Sequence, residues 1–465
     1  MSLKKFYDRE AEQSFLVEEA SLSQSLKSAR LVVVTGRRRV GKTELLLRSL
    51  SKSGEVAFIY LFATRLTARA LISEWVRSIA SVIDMPFLPQ FDRLSQVVEY
   101  LLYVARTRPI HVAIDECQDL NVIEPSFWSE VQRIWDLNKQ GAQMLLVMSG
   151  SVASAMRNIF QGYSEPLYGR VDKFIFVRPF EIGTIDAILA DYSPTHTDED
   201  LLALYTLTGG VVWFIEELMD RGAFTLETMA ETVFQAGSKF VMDGEVLLAN
   251  EFRHDATVNR TLLHAIAAGK TKREELQALI PDTNISGALS RLENHYELIR
   301  ENKPVLSPNY RRTRYQLTDR YLAFWFSFVA GQSSLLAQNN FDGMRKGFLS
   351  AYSDFSGRAL EQCFKDTLRA SHLFTEIGPW WDRKGLNEID IVALRDDEIF
   401  FFEVKRAKRK YSAAQLSTKV KAFLSLVPKL QGRQIRIGGL SLADLRKTPE
   451  DMISEAQVVE MTAFD

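Results

Sequence analysis

The stretch Gly36-Arg37-Arg38-Arg39-Val40-Gly41-Lys42-Thr43 constrains the fold of this chain more than any other. It follows an apolar, β-branched run at 31–35 and precedes residues 44–50, whose apolar side chains recur at helical spacing. In a strand, loop, helix sequence of this kind, glycines let backbone N–H groups turn inward around phosphate oxygens, and the helix N-terminus adds its dipole. Gly36 and Gly41 would shape the loop, Lys42 would reach the β- and γ-phosphates, and the Thr43 hydroxyl would bind Mg2+. The expectation is a site for ATP.

A second motif, PIHVAIDECQDL, puts Asp115 where a buried strand ends. Asp115 would hold Mg2+ directly or through water, and Glu116 would polarise the water that attacks the γ-phosphate. QMLLVMSGSVASAM reads as another buried strand, ending at Ser149, Gly150 and Ser151. Ser149 is either a contact for the γ-phosphate or a capping serine before the next helix. Strands at 31–35, 56–61, 110–114 and 143–148, separated by helical segments, predict an α/β layered domain.

These motifs resemble those of archaeal-type ATPases of the AAA+/STAND division. FYDREAE is similar to the segment that packs by the adenine, AIDECQ to the acidic motif, SGS to the sensor strand, and SEPLYGRVDKFIFVRPF to the segment after it. The resemblance implies that Arg170 is a charged partner of nucleotide, in cis or across a subunit interface; a surface arginine is the plain alternative. In LTGGVVWFIEEL, Gly209 and Gly210 match the family but the proline that usually follows is absent, which predicts a different turn into the lid.

At 465 residues the chain is too long for one core. The expected division is an ATPase core at 1–185, a helical lid at 186–250, a winged-helix domain at 251–330, a helical connector at 331–350 and a nuclease-like domain at 351–465. In the third of these, helices are expected at 258–268, at 272–280, and from a cap at Asn284 or Ser286 to about His295. ENKPVLSPNYRRTRYQLT then reads as a hairpin wing, and its Arg311, Arg312 and Arg314 would suit phosphate contacts. A wing that faces protein or is purely structural is the other reading, since the third helix offers only Arg291 as a long cation. RYLAFWFSFVAGQ reads as a buried helix.

Toward the end, NEIDIVAL and EIFFFEVK read as antiparallel strands around an RDDE turn with Asp396 and Asp397 at its tip. Without a bulge, Asp390 faces Glu403 and Glu388 faces Lys405, and period 2 puts all four on one side of the sheet. Two opposed carboxylates repel, and a divalent cation between them removes the penalty. The arrangement resembles the PD-(D/E)xK nuclease superfamily, with Asp390 and Glu403-x-Lys405 as the core motif. The resemblance implies that Glu361, on the preceding helix SDFSGRALEQCFKDTL, joins Asp390 and Glu403 in binding Mg2+. Lys405 would assist the nucleophile, and Gln415 would help align the site. Leu360, Phe364 and Leu368 would pack that helix on the sheet, and the KRAKRK run at 405–410 would meet a nucleic-acid backbone.

Net charge of −2 gives no global nucleic-acid signal, although a local patch suffices. Two cysteines exclude a disulfide framework, and the six histidines form no ligand-spaced cluster. The absence of an apolar leader or a membrane-length segment predicts a cytoplasmic protein. The function expected is an ATPase coupled to a Mg2+-dependent endonuclease-like domain acting on DNA, with a homo-oligomer through the ATPase domain and a protein partner as further readings. The rival is a regulatory or signalling ATPase whose tail binds nucleic acid or protein without cleaving.

Overall fold

Three consecutive valines suit a strand covered on both faces, because branched side chains pack well on a pleated surface. Val32, Val33 and Val34 are fully buried on that account. They lie in β1 (Arg30–Thr35), the first of five parallel strands with β2 (Ala57–Phe62), β3 (Ile110–Asp115), β4 (Met144–Gly150) and β5 (Lys173–Phe176). The computed structural model describes residues 3–51, 56–84, 87–252, 256–306, 313–427, 430 and 432–459. Four of the strands stand within two residues of their predicted positions. β5 was not anticipated, since KFIF is short and lies in a segment read only by its resemblance.

Strand order is β2-β3-β4-β1-β5. One strand, β4, therefore separates β1 from β3, and the loops that leave all three open at the same sheet edge, where α/β folds place their ligands. The helices Ala68–Ala80, Leu94–Val104 and Phe127–Asn138 bury Trp75, Leu101 and Trp135 in the core of this layer.

Two compact units divide the chain: Tyr7–Pro179, and a second that joins the segment ending at Phe6 to the chain from Phe180 onward. In the second unit, the Lys4 backbone N–H donates to the Tyr192 hydroxyl at 2.9 Å, and Lys5 pairs with Asp191 at 2.8 Å. Helices Ile182–Tyr192, Asp198–Thr208, Val212–Asp220, Leu226–Val233 and Lys239–Glu251 follow in succession. The Asp198–Thr208 helix opens with a capping box, in which Asp200 accepts from the Thr197 N–H and the Thr197 hydroxyl caps Asp200 in return. It ends at Gly209, whose φ of 59° is left-handed. Gly210 has φ 77°, and a Cβ there would stand 2.1 Å from the Phe180 carbonyl oxygen. At Val211, where the resemblance implied a proline, the N–H donates to the Thr208 carbonyl at 3.1 Å, a bond that proline lacks.

Next come three helices and a hairpin. The helices are Ala256–Ala267, Arg273–Gln277 and Ser286–Ser290, the last continuing as a π-helical turn, Arg291–His295. The second is shorter than predicted, and the third has Ile285, not Asn284 or Ser286, at its N-cap; Asn284 accepts from the Ser286 N–H at 2.9 Å in a turn just before it. β6 (Ile299–Asn302) pairs antiparallel with β7 (Arg314–Leu317). Arg311 and Arg312 lie outside the described residues. The aromatic helix Arg320–Phe328 is buried as predicted: the Tyr321 hydroxyl donates to the Phe240 carbonyl at 3.0 Å and the Trp325 indole to that of Val241 at 2.9 Å.

The last sheet is mixed, in the order β12-β11-β10-β9-β8, and comprises β8 (Glu376–Trp381), β9 (Glu388–Arg395), β10 (Glu398–Lys405), β11 (Gln434–Ser441) and β12 (Gln457–Val459). The long helix Phe341–Ala370 packs on β8 and β10, burying Leu360, Phe364 and Leu368, and the tail helix Ala413–Leu426 packs on β9, β10 and β11. The β9–β10 hairpin has the predicted register, from Glu398↔Arg395 to Phe402↔Ile391. Asp396 takes the left-handed φ, 47°, that the tight turn demands.

Candidate functional site

The loop after β1 is folded for a phosphate. A Cβ on Gly36 would lie 2.2 Å from the Val177 carbonyl oxygen, so only glycine fits there, and Gly41 has φ 93° where the Lys42–Leu50 helix begins. Lys42 is 7% exposed, and its ammonium donates to the carbonyls of Gly36 at 2.9 Å and Arg37 at 3.1 Å. Burial lowers its pKa, and the nearby carboxylates of Glu116 and Asp115 oppose that shift. The charge is thus held inside the loop with two acids facing it.

Asp115, the last residue of β3, is fully engaged. Its Oδ2 accepts from the Thr43 hydroxyl at 3.0 Å and the Tyr60 hydroxyl at 2.6 Å, while Oδ1 accepts the Glu116 N–H at 2.9 Å. Burial, and then the hydrogen bond to Asp115, raise the Tyr60 pKa, which keeps the phenol a donor. Glu116 has φ 51° and ψ 35°, a left-handed conformation that costs a side-chain-bearing residue about 1 kcal/mol or more. Its Oε2 accepts from the Ser151 hydroxyl at 2.8 Å. Gly150 leaves room for this packing, since a Cβ would meet Met156 Sδ at 2.3 Å and Gln118 Oε1 at 2.4 Å and displace both side chains.

Ser151, not Ser149, therefore reaches the acidic pair. Ser149 is fully buried inside β4, beside Val34 of β1, and its hydroxyl has no partner. Arg170 forms a two-pronged ion pair with Asp136, at 2.9 and 2.7 Å, and also donates to the Pro166 carbonyl. In this structure it serves the Phe127–Asn138 helix and touches none of the loop residues. Arg9, in the segment expected beside adenine, is 6% exposed and donates to the Arg178 carbonyl at 2.5 Å.

In the tail, the β9–β10 ladder ends at Phe402↔Ile391, and the next step is a fork. There the Val404 N–H donates to Asp390 Oδ2 at 2.7 Å, so the carboxylate occupies the place of a strand carbonyl. Burial, then Glu361, then Glu403 push Asp390 up to about 7, while the Val404 N–H and Lys405 act against the rise. All four residues of the predicted motif are thus brought into mutual electrostatic range. Glu403 Oε1 accepts from Lys405 at 2.7 Å, and Lys419 of the tail helix donates to both Glu403 oxygens at 2.9 Å. Glu361 pairs with Lys365 one turn along its helix. Among the described residues no three His, Cys, Asp or Glu side chains stand grouped as they would around a metal ion.

The expectation that Glu388 shares a side with the other three fails. Ile389 and Val392, three residues apart, both enter the core under the tail helix, so the alternation of β9 breaks between them, at Asp390. Glu388 pairs with Trp381 across β8 and binds Arg314 at 2.7 Å instead of facing Lys405. Gln415 is exposed in the first turn of the tail helix; Lys419, one turn on, makes the contact expected of it. Of the positive run, residues 408–410 are exposed, but Arg406 is bound internally to Glu199 at 2.5 Å.

Residues 6–218 match the family model of an ATPase domain predominantly from Archaea. The front of this chain is an archaeal-type P-loop ATPase domain. Residues 325–416 match a second model, that of archaeal and bacterial proteins of unknown function, which takes in Glu361, Asp390, Glu403 and Lys405. An uncharacterized protein of Methanocaldococcus jannaschii is 24% identical over 412 residues, 86% of this chain and 87% of that protein. Among solved structures, a Walker-type ATPase of Pyrococcus abyssi has a TM-score of 0.53 at 20% identity, over 69% of this chain and 96% of that one. The ORC2 protein of Aeropyrum pernix, solved with ADPNP and ADP, has a TM-score of 0.50 at 12% identity, over 75% and 97%. The ATPase match runs past the compact unit that ends at Pro179 and into the Val212–Asp220 helix. No described helix is long and apolar enough to cross a membrane.

Reading the sequence for the ATPase domain missed Tyr60 and chose Ser149 over Ser151 at the end of the same strand, and for the tail it missed Lys419. Tyr60 had one available signal, a polar-tipped side chain near the end of a strand beside the Asp115 strand. Lys419 had another, its spacing of four from Gln415 on the same helix face.

Proposed function

We propose that the ATPase domain drives or gates a Mg2+-dependent, nuclease-like tail that acts on DNA. The observation that carries this reading is the fork: Asp390 caps the diverging β10 backbone immediately beside Glu403-x-Lys405, with Glu361 close enough to raise it. Three carboxylates in mutual electrostatic range, though not gathered around one point in this structure, are matched in charge and donor type to a divalent cation, which prefers hard oxygen ligands. Asp390, Glu403 and Glu361 would hold that ion, which would supply an activated water; Lys405 would orient the nucleophile and offset phosphate charge. In the ATPase domain, Thr43 and Asp115 present oxygens 3.0 Å apart and would hold Mg2+, Lys42 would bind phosphate, and Glu116, steadied by Ser151, would accept the proton of the attacking water.

The three helices and hairpin between lid and tail have the order of a winged helix, which would present DNA through Arg314 and its neighbours. Arg170, freed from Asp136, would serve nucleotide across an interface between copies, an arrangement that suits a cytoplasmic assembly.

One observation favours the rival class, a regulatory ATPase with a non-cleaving tail. Both oxygens of Glu403 are taken by lysines, a balance that stabilises the tail without an ion. Purified protein incubated with linear and circular DNA, with and without Mg2+ and ATP, separates the two. Cleavage that needs Mg2+, falls at least about 100-fold in Glu403→Ala, and loses its ATP dependence in Lys42→Ala supports the nuclease. Cleavage indifferent to Glu403→Ala sinks it.

A further inference from the structure

Between the hairpin, the long helix and the β8–β9 edge lies a cleft of about 280 Å³, toward the small end of ligand pockets. Six charged side chains line it: Arg314, Arg320, Arg358, Glu361, Lys365 and Glu388. Arg314 is neutralised by Glu388 at 2.7 Å and Lys365 by Glu361. Two cations remain in surplus. Arg320 Nη2 is buried and has no hydrogen-bond partner, and Arg358 is exposed and forms no ion pair among the described residues. Nearby, the partly buried Arg300 has its pKa lowered by burial, with Arg369 and Arg320 adding to the effect and Asp366, at 3.8 Å, and Tyr205 opposing it. An unmet guanidinium N–H is costly, and an anion that accepts from the part of the half-buried Arg320 fork lining the cleft offsets its charge.

We infer that this cleft receives one nucleotide of a single nucleic-acid strand, its phosphate held by Arg320 and Arg358. The phosphate is argued from the two surplus arginines, and the single nucleotide from the volume, which is far too small for a duplex. The neighbourhood of Glu361 argues for a strand on its way to the acidic fork, since Glu361 lines the cleft and also acts electrostatically on Asp390. Side-chain amides of Asn302 and Gln316, which bond each other at 2.8 Å, line the same space and offer donors and acceptors to a base edge. This inference rests on the reading of the tail as a domain that acts on DNA.

The test is binding without catalysis. Fluorescence anisotropy of a labelled single-stranded DNA 12-mer, in EDTA, is compared for the wild-type chain, Arg358→Glu, and Arg77→Glu, a charge-matched control on the exposed side of a helix in the ATPase domain. Arg358→Glu is expected to weaken binding about tenfold or more and to reduce the salt dependence by about one phosphate contact, with Arg77→Glu unchanged. Equal affinity of wild type and Arg358→Glu overturns the inference, as does a duplex that binds as tightly and with the same sensitivity. Calorimetry with free deoxycytidine monophosphate gives the other arm: saturation at micromolar concentration, lost in Arg358→Glu and without strand binding, assigns the cleft to a free nucleotide and overturns the strand. Arg358-sensitive binding by a protein that never cleaves leaves the cleft standing and removes the nuclease; cleavage with Arg358-insensitive binding does the reverse.

Discussion

Asp390 concentrates the chemistry of the tail in one side chain. Its folded pKa, about 7, stands above the ordinary carboxylate value because of burial, Glu361 and Glu403. The folded chain therefore keeps a proton that the unfolded chain has released, and stability contributed by that proton falls as pH rises from about 4 to about 7. Asparagine can still accept the Val404 N–H but carries no charge. In EDTA, Asp390→Asn should match the wild type near pH 4 and exceed it at pH 8 by roughly 1–3 kcal/mol. Denaturation at the two pH values checks this, and a wild-type advantage at pH 8 contradicts a fork under repulsion. The residue-level identities of Lys42, Thr43, Asp115 and Glu116 were legible because strand, loop and helix spacing fixes them locally. Ser149 against Ser151 was not, because the two share a face by alternation and only the point where β4 ends, at Gly150, decides which hydroxyl emerges.

Among the elements, the Asp198–Thr208 helix is the clearest case of local sequence and packing agreeing. THTDED supplies the capping box, and every residue from Asp200 to Thr208 is buried. Asp200 accepts from the Thr197 N–H at 2.9 Å, the Thr197 hydroxyl at 2.7 Å and the Leu226 N–H at 3.0 Å, so it ties two helix starts together. Asp200→Ala leaves two backbone donors without an acceptor and should cost about 2–4 kcal/mol. Calorimetry of the full chain should register this as a fall in the unfolding temperature of the unit that begins at Phe180; an unchanged transition would count against the cap. The β9–β10 register was equally legible, since alternating apolar residues around a four-residue turn admit one pairing. The face of Glu388 was not. A break in alternation at Asp390 depends on which residues the tail helix and Trp380 draw into the core, and that is a tertiary choice.

At the scale of the whole molecule, the tail sheet is fastened within one unit to the helices Ile182–Tyr192 and Asp198–Thr208. Arg406, next to Lys405, binds Glu199 at 2.5 Å and also Ser356, while Arg446 binds Asp186 at 3.0 Å and also Asp198. All three acids lie on the two successive helices Ile182–Tyr192 and Asp198–Thr208, so a shift of the latter is felt at the residue beside Lys405. Arg406→Ala should abolish most of the ATP dependence of amide hydrogen exchange at residues 400–405 while leaving ATP turnover within about twofold of the wild type. A full ATP response in that variant would mean that the message takes another route. No run of sequence announces this fastening, because its partners are more than two hundred residues apart.

Chain connectivity adds a constraint of its own. The ATPase unit is an insertion: the chain leaves the second unit after Phe6 and returns to it at Phe180. An inserted body is leashed at both ends, so a rotation of one unit must twist two peptide tethers at once. With the chain cut between Pro179 and Phe180, the remaining covalent link would be the segment ending at Phe6, whose Lys4 and Lys5 are pinned to Tyr192 and Asp191 within the second unit.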